Sequence, residues 1–265
     1  MQINWQSISK QTFIEQYWQK QPVVLKGAVA NFQDPIEPEQ LAGLAMEEFV
    51  DSRIVSNKQG KWQLTQGPFE HFDQLGDRHW SLLVQGVDNY YQGVQNLLNL
   101  VDFIPKWRID DVMVSFSTPQ GGVGPHLDQY DVFIVQGKGR RHWRAGKVDT
   151  NLVQQEASPN LLQLEGFDAI LDEILEPGDI LYVPPFSPHS GETLDAALNY
   201  SIGFRAPSSQ ELLSAFADYT IDNELGLERF QDTALNLSEK PFSPAKAELN
   251  QLKQQMLHLI EEPGR

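Results

Sequence analysis

The chain of 265 residues carries 36 acidic against 20 basic side chains, a formal net charge of −16, and it has no cysteine. The lack of cysteine excludes disulfides, thiolate metal sites and cysteine nucleophiles, and it makes a cytoplasmic location the simplest expectation. No apolar run approaches the roughly 18 residues of a membrane span. The acidic charge argues against direct nucleic-acid binding and would attract a basic polypeptide, although acidity that serves solubility alone explains it equally well.

The first hundred residues predict short helices and strands. A helix is expected over 9–19, with Ser9 as its N-cap and with Phe13 and Tyr17 four residues apart on one face. Apolar runs bounded by turn residues predict the strands of this region. The further elements expected here are helices at 38–48 and 89–100 and strands at 22–25, 50–55, 61–64 and 80–85.

A clean alternation follows in the segment DVMVSFS, residues 111–117, which predicts a strand. Its two valines and its phenylalanine share one face, while Met113, Ser115 and Ser117 share the other. Small hydroxyls on this second face indicate a lining where something polar must fit. A strand with one half-polar surface explains the same pattern equally well.

The chain is organised around the stretch GGVGPHLDQYDVFIVQGKGRRHWR, which runs from Gly121 to Arg144. Its glycine-rich loop is expected to enter a strand that carries His126 and Asp128, whose side chains then point to the same side. The apolar run 132–135 continues as a strand, turns at glycines and returns. An imidazole beside a carboxylate supplies two of the three ligands of a 2-His-1-carboxylate iron site.

His189 is the candidate for the third ligand. It follows the turn EPGD, the apolar strand 180–183 and a proline-rich turn, as expected of a ligand delivered by a distant strand of the same barrel. An isolated HxD motif is a weak signal, whereas HxD followed by PGDILYVPPFSPH is a strong one. Zinc can use the same ligands, but Fe(II) with open positions for a chelating cosubstrate and O2 explains them more economically.

A cosubstrate such as 2-oxoglutarate needs a cation inside the barrel for its far carboxylate, and arginine suits this role because it binds carboxylates bidentately. Strand alternation places Arg141 on the same face as Trp143, which is expected to mark the interior. Arg140 and Arg144 fall on the other face and are expected to be solvated. Ser117 is expected to donate a second hydrogen bond to the same carboxylate.

The rest of the chain predicts a strand-rich domain at 1–206 and a helical region at 207–265. A weak strand is expected at 161–164, a helix at 167–175 and a strand at 197–204. The helices expected in the second region are 211–219, 223–230 and 244–260.

The last expected helix carries an apolar stripe that needs a cover. Leu249, Leu252, Met256 and Ile260 recur at intervals of three and four residues. A helical region with no large core of its own often pairs with a second copy, so a homodimer is expected. Packing against the barrel of the same chain is the alternative.

Three segments of the chain resemble a known family. GPHLDQYDVFIVQGKGRRHWR, EPGDILYVPPFSPHSGE and LNYSIGFRAPS are similar to the JmjC-type ribosomal oxygenases of the cupin superfamily, with the bacterial arginine hydroxylases of ribosomal large-subunit protein sixteen as the nearest branch. The resemblance covers essentially the whole chain. It implies a mainly β fold with a helical appendage (α+β), in which a double-stranded β-helix is followed by a helical dimerisation region.

The resemblance also implies a site and a reaction. Residues that match His126, Asp128 and His189 would hold Fe(II), and residues that match Ser117 and Arg141 would bind 2-oxoglutarate. The implied reaction converts 2-oxoglutarate and O2 to succinate and CO2 while an arginine side chain of a basic ribosomal protein is hydroxylated at its β-carbon. Family members continue into a C-terminal winged-helix-like domain, whereas this chain stops at Arg265, so that domain is expected to be absent.

Two other functions stay open from the sequence. The same oxygenase chemistry on a histidine or a methyl-lysine would use an identical metal site, and a barrel kept as a non-enzymatic scaffold would not need one. An isolated carboxylate among apolar strands argues against the scaffold. A phosphate-binding loop at 121–124 lacks the lysine and the helix that it requires, and Ser190 beside His189 lacks a nucleophile elbow.

Overall fold

The computed structural model describes residues 2–5, 8–231 and 245–261, and the chain divides into two compact units, Met1–Ala206 and Pro207–Arg265. The assignment of the first unit to catalysis and of the second to dimerisation stays a prediction. No helix in the described ranges combines the length and the apolar character that crossing a membrane requires.

The first unit is mainly antiparallel β-sheet, with short helices at its start and in its middle. Its strands are β1 (Val23–Leu25), β2 (Ser52–Lys58), β3 (Lys61–Gln66), β4 (Trp80–Val84), β5 (Val112–Ser117), β6 (Asp131–Gln136), β7 (Arg141–Gly146), β8 (Gln155–Ser158), β9 (Leu161–Gln163), β10 (Ala169–Leu175), β11 (Ile180–Val183), β12 (His189–Thr193) and β13 (Ala197–Phe204). Its helices are α1 (Lys10–Gln16), α2 (Pro38–Leu44) and α3 (Gln92–Gln95), with 3-10 turns at Val87–Asn89, Asn96–Val101 and Lys106–Arg108.

Two sheets enclose the interior of this unit. The larger has the order β1-β11-β6-β13-β5-β4-β2-β3 and the smaller the order β10-β7-β12, and all neighbouring strands are antiparallel. Val132 and Ile134 of β6 pack against Trp143 of β7, so the two sheets face each other across a small apolar cluster. Strands β8 and β9 form a separate hairpin.

The period-two pattern of the strands separates a packing face from a face that is free for a site. In β6, Phe133 and Val135 belong to the large core beneath the N-terminal helices, whereas Val132 and Ile134 face the interior. Phe13 of α1 reaches this large core and lies 4.9 Å, centroid to centroid, from the ring of Tyr182. Burial of one such side chain contributes about 1.5–3 kcal/mol to stability. The face of the sheet that packs on the large core therefore stabilises the fold, and the face towards the interior can carry polar groups.

Helix α1 begins as the sequence predicts. The backbone N–H of Thr12 donates to the Ser9 side chain at 3.0 Å, which confirms the expected N-cap. The helix ends at Gln16, three residues earlier than expected.

The helix expected at 167–175 is wrong, because this segment forms strand β10 at the edge of the smaller sheet. Leu171 and Leu175, four residues apart, share a face in a helix and also in a strand, so their spacing does not decide between the two. Pairing with β7 decides it: Leu175 is fully buried opposite Arg141, and Leu171 packs against the interior cluster.

Two other expected helices differ from the observed ones. The helix expected at 223–230 is absent from that described segment, because Glu224 and Gly226 have φ angles of 52° and 68°, outside the helical region. The helix expected at 89–100 is broken into α3 and the two 3-10 turns that flank it.

The second unit contains α4 (Ser209–Asp222) and α5 (Lys246–Glu261). Ser208 and Glu211 form a reciprocal capping box at the start of α4. No described residue of either helix is buried, and the four apolar residues of the α5 stripe are 40–52% exposed. The expected start of this helix at Pro244 lies outside the described residues.

Candidate metal and cosubstrate site

His126, Asp128 and His189 lie together, and within the described part of the chain they form the one group of three or more side chains that could hold a metal ion. Their ligand atoms all lie within 4.8 Å of one another. Asp128 Oδ2 is 3.9 Å from His126 Nε2 and 3.6 Å from His189 Nε2. Two imidazoles and one carboxylate are the donor set of facial sites that bind Fe(II) and leave positions open for other ligands.

The expected strand through His126 and Asp128 is wrong, because the segment is irregular and makes a single β-bridge. In that bridge the N–H groups of His126 and His189 each donate to the carbonyl oxygen of the other at 3.0 Å. The ligand side chains still converge, because the bridge brings the two imidazole rings to a centroid distance of 4.2 Å, tilted by 53°, and the Asp128 carbonyl accepts from the N–H of Phe186 at 2.8 Å.

Backbone carbonyls fix the tautomers of both histidines. His126 Nδ1 lies 3.0 Å from the carbonyl oxygen of Gly124, and His189 Nδ1 lies 3.0 Å from that of Ser187. A carbonyl only accepts, so each Nδ1 carries the proton and each Nε2 keeps its lone pair. Both Nε2 atoms lie on the side of Asp128, which prepares the two rings as neutral ligands.

The environment of His189 also favours the neutral ring. The residue is buried, and desolvation together with the neighbouring His126 lowers the pKa of His189 to about 4. A metal ion at neutral pH would therefore meet no competing proton on this imidazole. The ring lies nearly parallel to that of Trp143, with centroids 6.2 Å apart.

Strand β7 presents Arg141 and Trp143 to the interior, where each is 5% exposed. The guanidinium carbon of Arg141 lies 4.9 Å from the Trp143 ring centroid. Arg140 and Arg144 point outwards, and nearly half of each side chain is exposed. Trp143 itself packs on Gly191 so closely that a β-carbon there would meet the indole at 2.9 Å.

The buried guanidinium of Arg141 has no acidic partner within the described ranges. Nη1 donates to Asn199 Oδ1 at 3.1 Å, Nη2 donates to the carbonyl oxygen of Gly191 at 3.0 Å, and Nε has no partner in the described structure. Desolvation lowers the pKa of Arg141 to about 10, which leaves it charged at neutral pH. A buried cation without a counter-charge fits an anionic ligand, and the arginine fork suits a carboxylate.

Two amide side chains that the sequence analysis missed hold this arginine. The Asn199 Nδ2 donates to Gln136 Oε1 at 2.8 Å, and this contact directs the Asn199 oxygen towards Arg141. The sequence does indicate Asn199: in the strand ALNYSIGF, alternation places it on the face opposite the buried Tyr200.

Ser117 is fully buried on the same cavity wall as Arg141. Its Oγ lies 2.7 Å from the Oγ of Ser81, which stands opposite it in the register of β4 and β5. Two paired hydroxyls contain two O–H groups, and the pair uses one of them, so one donor stays available for a ligand. Ser81 is a further site residue that the sequence analysis did not identify.

These groups line one cavity of about 710 Å³. Val132 and Ile134 supply an apolar wall next to the metal-ligand cluster. Toward the surface the cavity is lined by carboxylates, among them the exposed Asp51 and Asp110. The volume accommodates a small dicarboxylate together with part of a substrate side chain.

Asp111 is the carboxylate of this wall that the fold holds most firmly. Its Oδ2 accepts from the N–H of Gly86 at 2.6 Å and its Oδ1 from Gln85 Nε2 at 3.1 Å. Desolvation raises the pKa of Asp111, and the two hydrogen bonds act in the opposite direction. A half-buried carboxylate with fixed orientation on a cavity wall suits a cationic group of a ligand.

Sequence comparison finds relatives among ribosome-modifying oxygenases. The family model described as the JmjC domain matches residues 96–212. Ribosomal protein uL16 3-hydroxylase of Escherichia coli is 53% identical over 95% of this chain and 67% of its own length. A probable ribosomal oxygenase of Haemophilus influenzae is 33% identical over 88% of this chain and 58% of its own length. The chain thus spans about two thirds or less of the length of these relatives.

Solved structures share the fold. The ribosomal oxygenase YcfD of Escherichia coli in complex with cobalt and 2-oxoglutarate matches with a TM-score of 0.89 at 50% identity, covering 99% of this chain and 68% of that one. The same protein with cobalt and succinic acid matches with a TM-score of 0.88 at 49% identity, covering 99% and 69%. The predicted fold class, a mainly antiparallel β structure of the JmjC and cupin type, is confirmed.

Proposed function

The chain belongs to the JmjC-domain ribosomal oxygenases, and we propose that it is a dioxygenase that depends on Fe(II) and 2-oxoglutarate and hydroxylates an arginine side chain of ribosomal protein uL16 at its β-carbon. One observation carries the proposal: a 2-His-1-carboxylate cluster and a buried arginine that has no acidic partner among the described residues line the same cavity. The cluster supplies a metal site and the arginine an anion site, which are the two requirements for a chelating keto-diacid.

The donor set fits Fe(II). His126 and His189 are held as neutral imidazoles with their Nε2 atoms towards Asp128, so the three ligands carry one negative charge in total. When bound, Fe(II) supplies the redox chemistry that couples oxidative decarboxylation of 2-oxoglutarate to the insertion of one oxygen atom into a C–H bond.

The protein's own residues bind and orient the cosubstrate. Arg141 receives the carboxylate that is remote from the metal, and Asn199 keeps the guanidinium in place. Ser117 donates the free hydroxyl of its pair to the same carboxylate. Trp143 covers the guanidinium with an apolar face, which excludes water and strengthens the ion pair.

The charge of the molecule supports a basic protein as the substrate. The chain has a formal net charge of −16, and the cavity wall carries Asp51, Asp110 and Asp111. These carboxylates attract the guanidinium of a substrate arginine, and the negative net charge of the chain also increases the rate of association with a basic polypeptide. The position of the hydroxylation agrees with the name of the Escherichia coli relative, a 3-hydroxylase, because position 3 of an amino acid is its β-carbon.

The proposal extends to assembly and location. The exposed apolar stripe of α5 supports a homodimer through the helices of the second unit. A substrate among the ribosomal proteins supports the cytoplasm as the place of action, and the acidic charge speaks against direct contact with nucleic acid.

The test combines cosubstrate turnover with the mass of the peptide. The chain is incubated with Fe(II), 2-oxoglutarate and a uL16 peptide that contains arginine, and succinate and peptide mass are measured together. We expect peptide-dependent succinate and the gain of one oxygen atom on the arginine. The matched controls are Asp128→Asn, which removes a proposed ligand, and a peptide in which lysine replaces the arginine.

Each outcome addresses a different part of the proposal. Succinate without a change in peptide mass would keep the oxygenase and reject the substrate. Oxygen gained on a residue other than arginine would reject the assigned side chain. A chain that binds neither metal nor 2-oxoglutarate would contradict the enzyme as a whole.

A further inference from the structure

Among the described residues, the segment that carries His126 and Asp128 is paired with a strand on one side only. On that side His126 exchanges two backbone hydrogen bonds with His189. Leu127 lies between the two proposed ligands, and in an extended chain its N–H and C=O point to the opposite side. No strand backbone pairs with Leu127 in the described structure.

The side chain of Gln154 takes the place of that missing strand. The N–H of Leu127 donates to Gln154 Oε1 at 2.9 Å, and Gln154 Nε2 donates to the carbonyl oxygen of Leu127 at 3.3 Å. One primary amide thereby presents the donor and the acceptor that the peptide of a neighbouring strand would offer. Gln154 is half-buried and lines the same cavity as the ligands.

Neighbouring contacts lie along the same side of the segment. The N–H of Leu164 donates to the carbonyl oxygen of Pro125 at 2.8 Å, and Gln163 Nε2 donates to that of Val123 at 2.6 Å. Val123, Pro125 and Leu127 are alternate residues, so the hairpin of β8 and β9, together with the residues directly before and after it, holds one edge of the ligand segment. The contact at Leu127 is the one that lies between the two ligands.

We infer that Gln154 is a positioning residue of the metal site, whose amide fixes the peptide groups of Leu127 and thereby the separation and direction of His126 and Asp128. The inference rests on the proposed function, since it assigns a metal to these side chains. Without the amide, both backbone groups of Leu127 lose their partner, and the segment gains conformations in which the ligand atoms no longer converge.

The variants separate the amide from its surroundings. Gln154→Leu keeps the approximate size and removes both hydrogen bonds. Gln154→Glu keeps an acceptor for the Leu127 N–H but sets a carboxylate oxygen against the Leu127 carbonyl. Gln155→Leu is the matched control, because Gln155 is the next residue, is exposed and makes no side-chain hydrogen bond in the described structure.

The first measurement is metal affinity in the full chain, stripped of metal and titrated with Co(II) in the presence of 2-oxoglutarate by visible absorption. Loss of a residue that orients metal ligands weakens metal binding by roughly 10–100-fold, and we expect Gln154→Leu and Gln154→Glu to fall in this range. Gln155→Leu is expected to bind Co(II) like the wild type. The second measurement is amide hydrogen exchange over residues 121–130 without metal, which should accelerate in Gln154→Leu.

The outcomes are distinct. Wild-type Co(II) affinity or unchanged exchange in Gln154→Leu overturns the inference, as does an equal loss in Gln155→Leu. If Gln154→Leu does not unfold cooperatively, Gln154→Asn takes its place, and an affinity equal to the wild type there, with unchanged exchange, overturns the inference. A wild type that binds Co(II) but does not oxidise 2-oxoglutarate when it is loaded with Fe(II) instead contradicts the proposed function alone, whereas a wild type that binds no Co(II) overturns both.

Discussion

The guanidinium of Arg141 donates to the side-chain oxygen of Asn199 at 3.1 Å, a neutral acceptor at a place where buried arginines are usually met by a carboxylate. Desolvation lowers the pKa of Arg141 to about 10, and no acidic side chain in the described part of the chain opposes this shift. The fold therefore holds the cation in position and leaves its charge for a ligand.

Replacement of this neutral partner by a charged one should block the anion site. We expect Asn199→Asp to raise the KM for 2-oxoglutarate by tenfold or more, because a carboxylate at this position satisfies Arg141 internally; a tenfold change corresponds to about 1.4 kcal/mol. Steady-state kinetics and calorimetric binding of 2-oxoglutarate measure the effect, and Co(II) affinity should stay unchanged. Asn99→Asp adds the same charge at an exposed position as a control. An unaltered KM in Asn199→Asp would show that the far carboxylate binds elsewhere.

The serine pair permits a second test of cosubstrate binding. Ser117→Ala should raise the KM for 2-oxoglutarate by roughly 10- to 150-fold, since a hydrogen bond to a charged group contributes roughly 1.5–3 kcal/mol. Ser81→Ala removes the partner of Ser117 but leaves its hydroxyl free to donate, so its KM should stay close to that of the wild type. Equal effects of the two substitutions would mean that Ser117 acts through packing and not through its hydrogen bond.

The side chains that point into the cavity could be predicted from the sequence where they lie on regular strands, but not where they lie on irregular segments. Alternation along β7 is sufficient to place Arg141 beside Trp143 and to turn Arg140 and Arg144 outwards. The same argument along β13 would have identified Asn199. Alternation is a reliable guide on these strands because a paired strand directs every second side chain to the same face.

Tertiary contacts decide the features that the sequence did not indicate. The contact of Gln154 with Leu127 joins residues 27 apart that lie outside regular strands, and no periodicity relates them. The segment that forms β10 has apolar spacings that suit a helix and a strand alike, and only the open edge of β7 selects the strand.

Acid should destabilise the metal-free protein partly through His189. Its folded-state pKa is about 4, whereas a histidine in an unfolded chain titrates near about 6.5. Between these two pH values the unfolded state binds a proton at His189 that the folded state does not bind. The stability contributed by the neutral imidazole is therefore fully present above the pKa of the unfolded state, and it is lost as the pH falls towards the pKa of the folded state. From about pH 7 to about pH 5 the wild type should lose about 2 kcal/mol more free energy of unfolding than His189→Gln.

Urea unfolding of both proteins in the presence of a chelator measures this difference. The chelator matters because bound metal would add its own pH dependence. Parallel loss of stability in the wild type and in His189→Gln over this pH range would show that another group is responsible.

The stripe on α5 supports a prediction about assembly. Leu252 and Met256 are 40% and 52% exposed and lie one turn apart, so a second copy of the chain is the expected cover. The double variant Leu252→Glu, Met256→Glu places two charges in this surface and should convert a dimer to a monomer, as measured by light scattering after size-exclusion chromatography.

Asn250→Glu with Gln254→Glu adds the same charge to the opposite face of the helix and should leave the dimer intact. Cosubstrate binding should persist in both variants, because His126, Asp128 and His189 and the residues around Arg141 all belong to the first unit. A wild type that is monomeric at micromolar concentration, or a control that dissociates as the stripe variant does, would contradict pairing through this surface.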